Sequence, residues 1–323
     1  ISKMFLAFSA LRLVEQGRVS LKAILQESSK GKVSLEHALS HTSGHLKLAP
    51  GGSELSFREF CDMDVLSKKM LAEDPLLAPG VRQQYQHTSF GLLVQEACKL
   101  ANTNLPAAWK SFADEANATL LLHSPASNAQ PVSQMRSPSL EDLGKRMEEF
   151  EHFIDATNRG RSKNATVAQK AEHGMWMSFF GREHWFNPAA LNREIPKNNV
   201  LPGRQAFATA KDTAKALRAA ATGGALSQRM WNDAVRSRKP PKGPDSEPCR
   251  LPHHLERFQN AEWGLGLQRT HLPNGQEVLG HSACNGSFAV LLPTSRPVVA
   301  AFLVNRSDGA VAADKVLSAL AEM

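Results

Sequence analysis

Tyrosine is the scarcest chemistry-bearing residue of this chain: a single one, Tyr85, stands in 323 residues against 15 phenylalanines. Where an aromatic ring is needed Phe nearly always serves, so the lone phenol marks its hydroxyl as a functional candidate. Cysteine is rare too. Cys61, Cys98, Cys249 and Cys284 lie far apart with no C-x-x-C pair, which excludes the common zinc and thioredoxin-like spacings and leaves buried free thiols as the plain reading. The 12 histidines include no H-E-x-x-H, and no metal is expected. No apolar run is long enough to predict a membrane-spanning helix. Absence of G-x-S-x-G, G-x-G-x-x-G and the P-loop removes the α/β-hydrolase elbow, the dinucleotide fingerprint and the phosphate cradle. No cofactor is expected.

The charge balance is 38 basic against 31 acidic residues, a formal +7. Lys and Arg are spread along the chain, and the densest run, Arg236 to Lys242, is interrupted by Pro240 and Pro241. That distribution reads as a solvated surface, and no nucleic-acid partner is expected. Apolar residues make up 42% and charged residues 21%, the balance of a globular chain.

The periodicity changes along the length. Lys3 to Gln16 reads as a helix closed by Gly17. Its first turns (Met4, Phe5, Leu6, Ala7, Phe8) are apolar all round, so that end is expected to be buried. The chain opens on Ile1 with this helix already under way, which predicts a longer polypeptide upstream. A short helix over Leu35 to Leu39 takes Ser34 as N-cap and runs into His41-Thr42-Ser43-Gly44, a turn composition. Phe90 to Leu100 and Lys211 to Ala221 are further helical patterns, and Pro106 to Ser227 is mostly helical around a Ser/Pro-rich loop at Leu122 to Pro138. Ser237 to Pro252 holds five prolines and reads as a surface excursion. Four strands are then expected: Trp263–Leu272, Gln276–Ala283, Ser287–Leu292 and Val298–Val304. The Asn274-Gly275 and Asn285-Gly286 pairs between them are hairpin signals. A helix over Val311 to Leu320 follows and covers one face of the meander.

The sequence thus predicts a mixed α/β (α+β) fold, an antiparallel sheet flanked by helices with an inserted all-helical subdomain. One domain over 1–323 is expected, with 1–100 and 261–323 forming the sheet-containing part and 101–260 a mainly helical insertion. Three residues stand out as chemistry. Lys3 is the only ionisable side chain in the first eleven residues. It is either a solvated chain end or a desolvated lysine whose charged form is disfavoured, which makes it a usable base. Tyr85 follows the Pro79-Gly80 turn. His281 lies on a predicted strand whose alternation puts it on the same face as Ala283; strand histidines are commonly structural.

These residues fall in a recognisable order. Ile1-Ser2-Lys3-Met4-Phe5 with Leu13-Val14-Glu15-Gln16-Gly17-Arg18-Val19-Ser20-Leu21 resembles the opening helix of the serine β-lactamase and penicillin-binding-protein superfamily, where a nucleophilic Ser and a Lys form S-x-x-K. Later stretches resemble its class C, esterase and peptidase-like branch. These are Ser34-Leu35-Glu36-His37-Ala38-Leu39-Ser40-His41-Thr42-Ser43-Gly44, then Tyr85-Gln86-His87-Thr88-Ser89-Phe90-Gly91-Leu92-Leu93, then Leu201-Pro202-Gly203 to Thr209-Ala210-Lys211-Asp212. Trp263-Gly264-Leu265-Gly266-Leu267 and Gly280-His281-Ser282-Ala283 complete the set, so the resemblance covers nearly the whole chain. It implies the β-lactamase/transpeptidase-like fold.

The resemblance also assigns roles. The nucleophile falls one position ahead of Ile1. Ser2 is out of register with Lys3, and Ser29-Lys30-Gly31-Lys32 fits S-x-x-K only in a polar loop. Lys3 is implied as the base for acylation, Tyr85 as the proton shuttle, and His281 as an electrostatic hold on Tyr85 or a substrate carboxylate. His87 stands where relatives carry Asn, and His281-Ser282-Ala283 where they carry Lys-Thr-Gly or His-Thr-Gly. His87, Ser282, Ala283 and the backbone N–H of Cys284, the latter as an oxyanion-hole donor, are the implied substrate contacts. The implied activity is hydrolysis of a small ester, amide or peptide through an acyl-enzyme. The altered His87 and Ala283 keep a second reading open, a catalytically inactive domain of this fold used for binding or scaffolding.

Overall fold

A computed structural model describes residues 1–46, 55–122, 154–156, 158–166, 169, 172–173, 203, 206–240, 261–272, 274–283, 285–305 and 310–322. Its first element, α1 (Ser2–Glu15), is a helix with ten apolar or small residues sealed from solvent along its length, Met4 to Ala10 all within 2% exposure. Such an all-round apolar helix has to run through the middle of the molecule. Phe5 and Phe8 meet Phe112, Trp109 and Trp231 with ring centroids 5.6 to 6.2 Å apart, in the offset and edge-on arrangements that aromatic quadrupoles favour.

A hairpin of β1 (Ile24–Ser28) and β2 (Gly31–Ser34) follows. It was not foreseen in the sequence, because its polar run Glu27 to Lys32 shows no alternation. Its end feeds directly into α2 (Leu35–Leu39), where Ser34 is the N-cap as expected. Ser34 Oγ accepts from the His37 N–H while His37 Nδ1 accepts from the Ser34 N–H, both at 3.2 Å, a reciprocal box that fixes the helix start. Then come α3 (Phe57–Phe60), α4 (Met63–Leu71), α5 (Ser89–Leu100) and α6 (Leu105–Glu115). Helix α1 packs on both α5 and α6.

Helices α7 (Ala210–Ala221) and α8 (Gln228–Val235) precede the sheet, and α7 lies against its last two strands. The sheet is an antiparallel meander in chain order: β3 (Glu262–Trp263), β4 (Gln268–His271), β5 (Glu277–Ser282), β6 (Phe288–Leu292) and β7 (Val298–Phe302). Helix α9 (Ala310–Ala321) closes the chain. The expected single strand over Trp263–Leu272 is two strands. Gly266, at φ +79°, turns the backbone between them, and a Cβ there would stand 2.1 Å from the Ala7 Cβ. The glycine therefore permits the bend and the close approach of α1. The Ser/Pro-rich loop at 123–138, most of the proline-rich excursion, Cys249 and Cys284 lie outside the described residues.

Period-2 alternation divides the sheet's two faces. Val278, Phe288, Val290 and Leu292 pack with Ala313 and Leu320 of α9, whereas Leu279, Ala289 and Leu291 join the core around α1. In β5, His281 alternates in phase with Leu279, so the fold aims it at the start of α1. That phase positions the site.

Candidate active site

Three separate stretches meet where α1 begins. Lys3 is 2% exposed, and its Nζ lies 4.8 Å from the centroid of the Tyr85 ring. At this distance the ring quadrupole attracts the group in its protonated form, as it would be after taking up a proton. Nζ also donates to the Gly203 carbonyl at 2.8 Å. Gly203 has φ +75°, and a Cβ at that position would lie 3.0 Å from Lys3 Cγ. Only glycine lets this carbonyl reach the lysine without displacing it.

Tyr85 is held in a layer of rings. Its centroid is 5.1 Å from His41, 5.6 Å from Trp263, 6.0 Å from His87 and 6.3 Å from His281. Trp263 in turn packs edge-on against His41 at 4.3 Å and against His281 at 5.3 Å. The segment carrying Tyr85 is anchored by its own backbone and by Gln83. Gln83 Nε2 donates to the carbonyls of Ser40 and Trp263, each at 3.0 Å, and Gln83 Oε1 accepts from the Trp263 N–H at 3.0 Å. One side chain therefore ties the end of α2, the Tyr85 segment and strand β3 together.

His281 is 2% exposed. Its Nδ1 lies 2.6 Å from the Ser282 carbonyl oxygen and 3.2 Å from the nitrogen of Ile1. Burial first, and the positive charge of Lys3 after it, pushes its pKa well below 6.5. The same holds for His41, through burial first and Lys3 second. For His281 this sets the form in which its ring meets Tyr85. At neutral pH the ring is uncharged, so it offers hydrogen bonds and polarity without a formal charge.

Of the other residues singled out in the sequence, His87 stands half-buried beside Tyr85. Ser282 donates through both its N–H and its Oγ to Gln268 Oε1, at 3.0 and 2.8 Å, which turns it to the sheet rather than to the Lys3 cluster. The Ala283 N–H donates to the Ser287 carbonyl at 2.7 Å and closes the hairpin. Cys284, whose N–H was the expected oxyanion donor, lies outside the described residues. The structure thus gathers Lys3, Tyr85, His281 and His87 and points Ser282 elsewhere. His41 and Gly203 also border the cluster, and the sequence did not single either out as a residue. Both sit in stretches singled out for their overall pattern, but nothing in composition reveals that His41 turns inward.

No group of three or more His, Cys, Asp or Glu side chains arranged to hold a metal ion occurs among the described residues. Among the same residues no helix is long and apolar enough to cross a membrane. Chemically, the cluster offers one buried amine, one phenol and two neutral imidazoles in a site packed with rings, a set suited to moving a proton.

The comparisons with known proteins agree with this fold. The family model described as Beta-lactamase matches residues 1–322. A penicillin-binding-protein homologue from Caulobacter crescentus is 20% identical, with a TM-score of 0.67, over 100% of this chain and 82% of its own. A family VIII carboxylesterase is 17% identical with a TM-score of 0.66, over 94% of this chain and 75% of its own. A D-stereospecific amidohydrolase from Streptomyces sp. is 17% identical with a TM-score of 0.57, over 95% of this chain and 81% of its own. At such identities the likeness to these structures is one of fold. No curated protein matches the chain.

Proposed function

The chain belongs to the Beta-lactamase family, and we propose that its site serves a serine hydrolase acting on a small ester or amide through an acyl-enzyme. The observation that carries this reading is the Lys3 amine held over the only phenol of the chain, 4.8 Å from its ring centroid. A hydroxyl nucleophile is weak until a neighbouring base takes its proton. In this reading the nucleophile is a serine directly ahead of Ile1, beside His281, with Lys3 as its base. Tyr85 carries the proton to the leaving group and, in deacylation, relays the attacking water's proton back to the serine oxygen as its ester bond breaks. His281, neutral, hydrogen-bonds to the reacting groups, and His87 borders the substrate. The proton passes from serine to lysine to phenol to leaving group, so none is lost to solvent.

Ester and peptide-like amide bonds suit the site better than β-lactams, because His281 stands where lactam-binding relatives carry a permanently charged lysine. The likeness of fold to a carboxylesterase and an amidohydrolase supports that substrate class. The inactive reading is favoured by His87 and Ala283, which replace the amide and the glycine of the family pattern.

The deciding experiment places a serine directly ahead of Ile1 and exposes the protein to a serine-reactive phosphonate and to small chromogenic esters. Labelling that Lys3→Ala and Tyr85→Phe both suppress is the expected result. Labelling indifferent to either substitution contradicts the mechanism, and no labelling at all favours the binding role.

A further inference from the structure

We infer that His41 is the positioning residue of Tyr85, clamping the backbone on both sides of it through its own carbonyl and its imidazole Nδ1. The His41 carbonyl accepts from the Gln84 N–H at 2.9 Å, and His41 Nδ1 accepts from the Gln86 N–H at 3.1 Å. Tyr85 is the residue between these two donors. The His41 ring itself lies 5.1 Å from the Tyr85 ring, with Phe90 at 4.9 Å and Trp263 at 4.3 Å on its other sides. One residue therefore fixes the phenol through two hydrogen bonds and a ring contact.

Two features show how the arrangement is built. His41 adopts φ +59°, a left-handed conformation that non-glycine residues seldom take and that His and Asn tolerate better than most. That backbone turn brings carbonyl and side chain to the same neighbouring strand of chain. Because Nδ1 accepts a backbone N–H, the ring is the neutral tautomer with its proton on Nε2. Nε2 is buried and makes no hydrogen bond among the described residues, so that end of the ring contributes nothing to the clamp. The part that matters is the acceptor at Nδ1.

This separates two substitutions. Asn tolerates the left-handed backbone and puts its Oδ1 about where Nδ1 stands, so His41→Asn keeps the acceptor and loses only the outer half of the ring. Gly suits the same φ even better but carries no acceptor, so a defect in His41→Gly is not backbone strain. The consequence for turnover rests on the hydrolase reading; the positioning does not.

The test uses the chain as it is. Because Tyr85 is the sole tyrosine, [13Cζ]tyrosine labelling yields one resonance that reports its environment, and amide exchange reports the Gln86 N–H. His41→Asn should keep one sharp tyrosine signal and protection of Gln86 within about threefold of wild type. His41→Gly should speed that exchange by about tenfold, the worth of one buried hydrogen bond, and split or broaden the tyrosine signal. Wild-type signal and protection in a folded His41→Gly, or equal damage in His41→Asn and His41→Gly, would overturn the inference. A measurement on the unaltered protein guards against a variant that fails to fold. The 15N spectrum of His41 should show Nδ1 unprotonated and Nε2 protonated at pH 7, and the opposite tautomer would refute the clamp. None of these readouts needs catalysis, so absence of hydrolysis would count against the proposed function alone.

Discussion

The two faces of the five-stranded sheet are built by the same alternation yet filled in opposite ways. Toward α9 the strands present Val278, Phe288, Val290 and Leu292, closed by Ala313 and Leu320, an entirely apolar cluster. Toward α1 the sheet contributes Leu279, Ala289 and Leu291, but at the rim of that layer lie buried Lys3, His41 and His281. Burying three titratable side chains costs stability that a hydrophobic filling would not. The α9 face is explained by packing alone. The α1 face is not, and on the proposed hydrolase reading its buried titratable groups are the ones placed for chemistry.

Substitutions on the two faces should therefore fail in different measurements. Tyr85→Phe in the serine-bearing protein should lower ester turnover by about 10²–10⁴-fold, the usual worth of a positioned proton carrier. It should leave the stability within about 1.5 kcal/mol, since only one hydroxyl is lost. Phe288→Ala reverses the pattern. Phe288 is sealed and packs against the tilted ring of Phe302 at 5.7 Å, so truncation should cost about 3–5 kcal/mol in denaturant unfolding while the folded fraction keeps its turnover. A Phe288→Ala protein of wild-type stability, or one folded but inactive, would erase the distinction.

Acid sharpens it further. In the fold His41 and His281 are held neutral, chiefly by burial, while in the unfolded chain both titrate near about 6.5. Below that pH the unfolded state binds protons that the fold refuses, so their contribution is complete above about pH 7 and is lost as the pH falls through 6.5. Each ring should add a slope of about 1.4 kcal/mol per pH unit in that window. His41→Asn and His281→Asn should each flatten the curve by one ring's share, read from urea midpoints between pH 7.5 and 5. Substitutions on the α9 face should leave the slope untouched.

Much of this arrangement was legible in the sequence, though unevenly. The helices at 2–15, 35–39, 89–100 and 310–321 follow from apolar period and from Ser34 as a cap, and Asn-Gly pairs announce the meander. The break inside the first predicted strand was hidden, because Trp263 to Leu272 keeps an apolar alternation straight through a bend that exists for the sake of Ala7. The β1–β2 hairpin was hidden for the opposite reason, since its strands are too polar to alternate. Lys3, Tyr85 and His281 could be singled out by rarity and by resemblance to a family pattern. That His281 is neutral, that Ser282 faces Gln268, and that His41 reaches around Tyr85 depend on burial and on a left-handed φ. Those are properties of the assembled fold, and no local pattern encodes them.

The central claim is that Lys3 and Tyr85 work as one unit. A double-mutant cycle on phosphonate labelling, in protein carrying a serine ahead of Ile1, tests it most directly. Lys3→Ala and Tyr85→Phe should each slow labelling by at least about 10²-fold, and the double variant should be no slower than the worse single, as for residues acting in one step. A double variant whose loss equals the product of the two single losses, or a single variant that labels at the wild-type rate, would contradict the account.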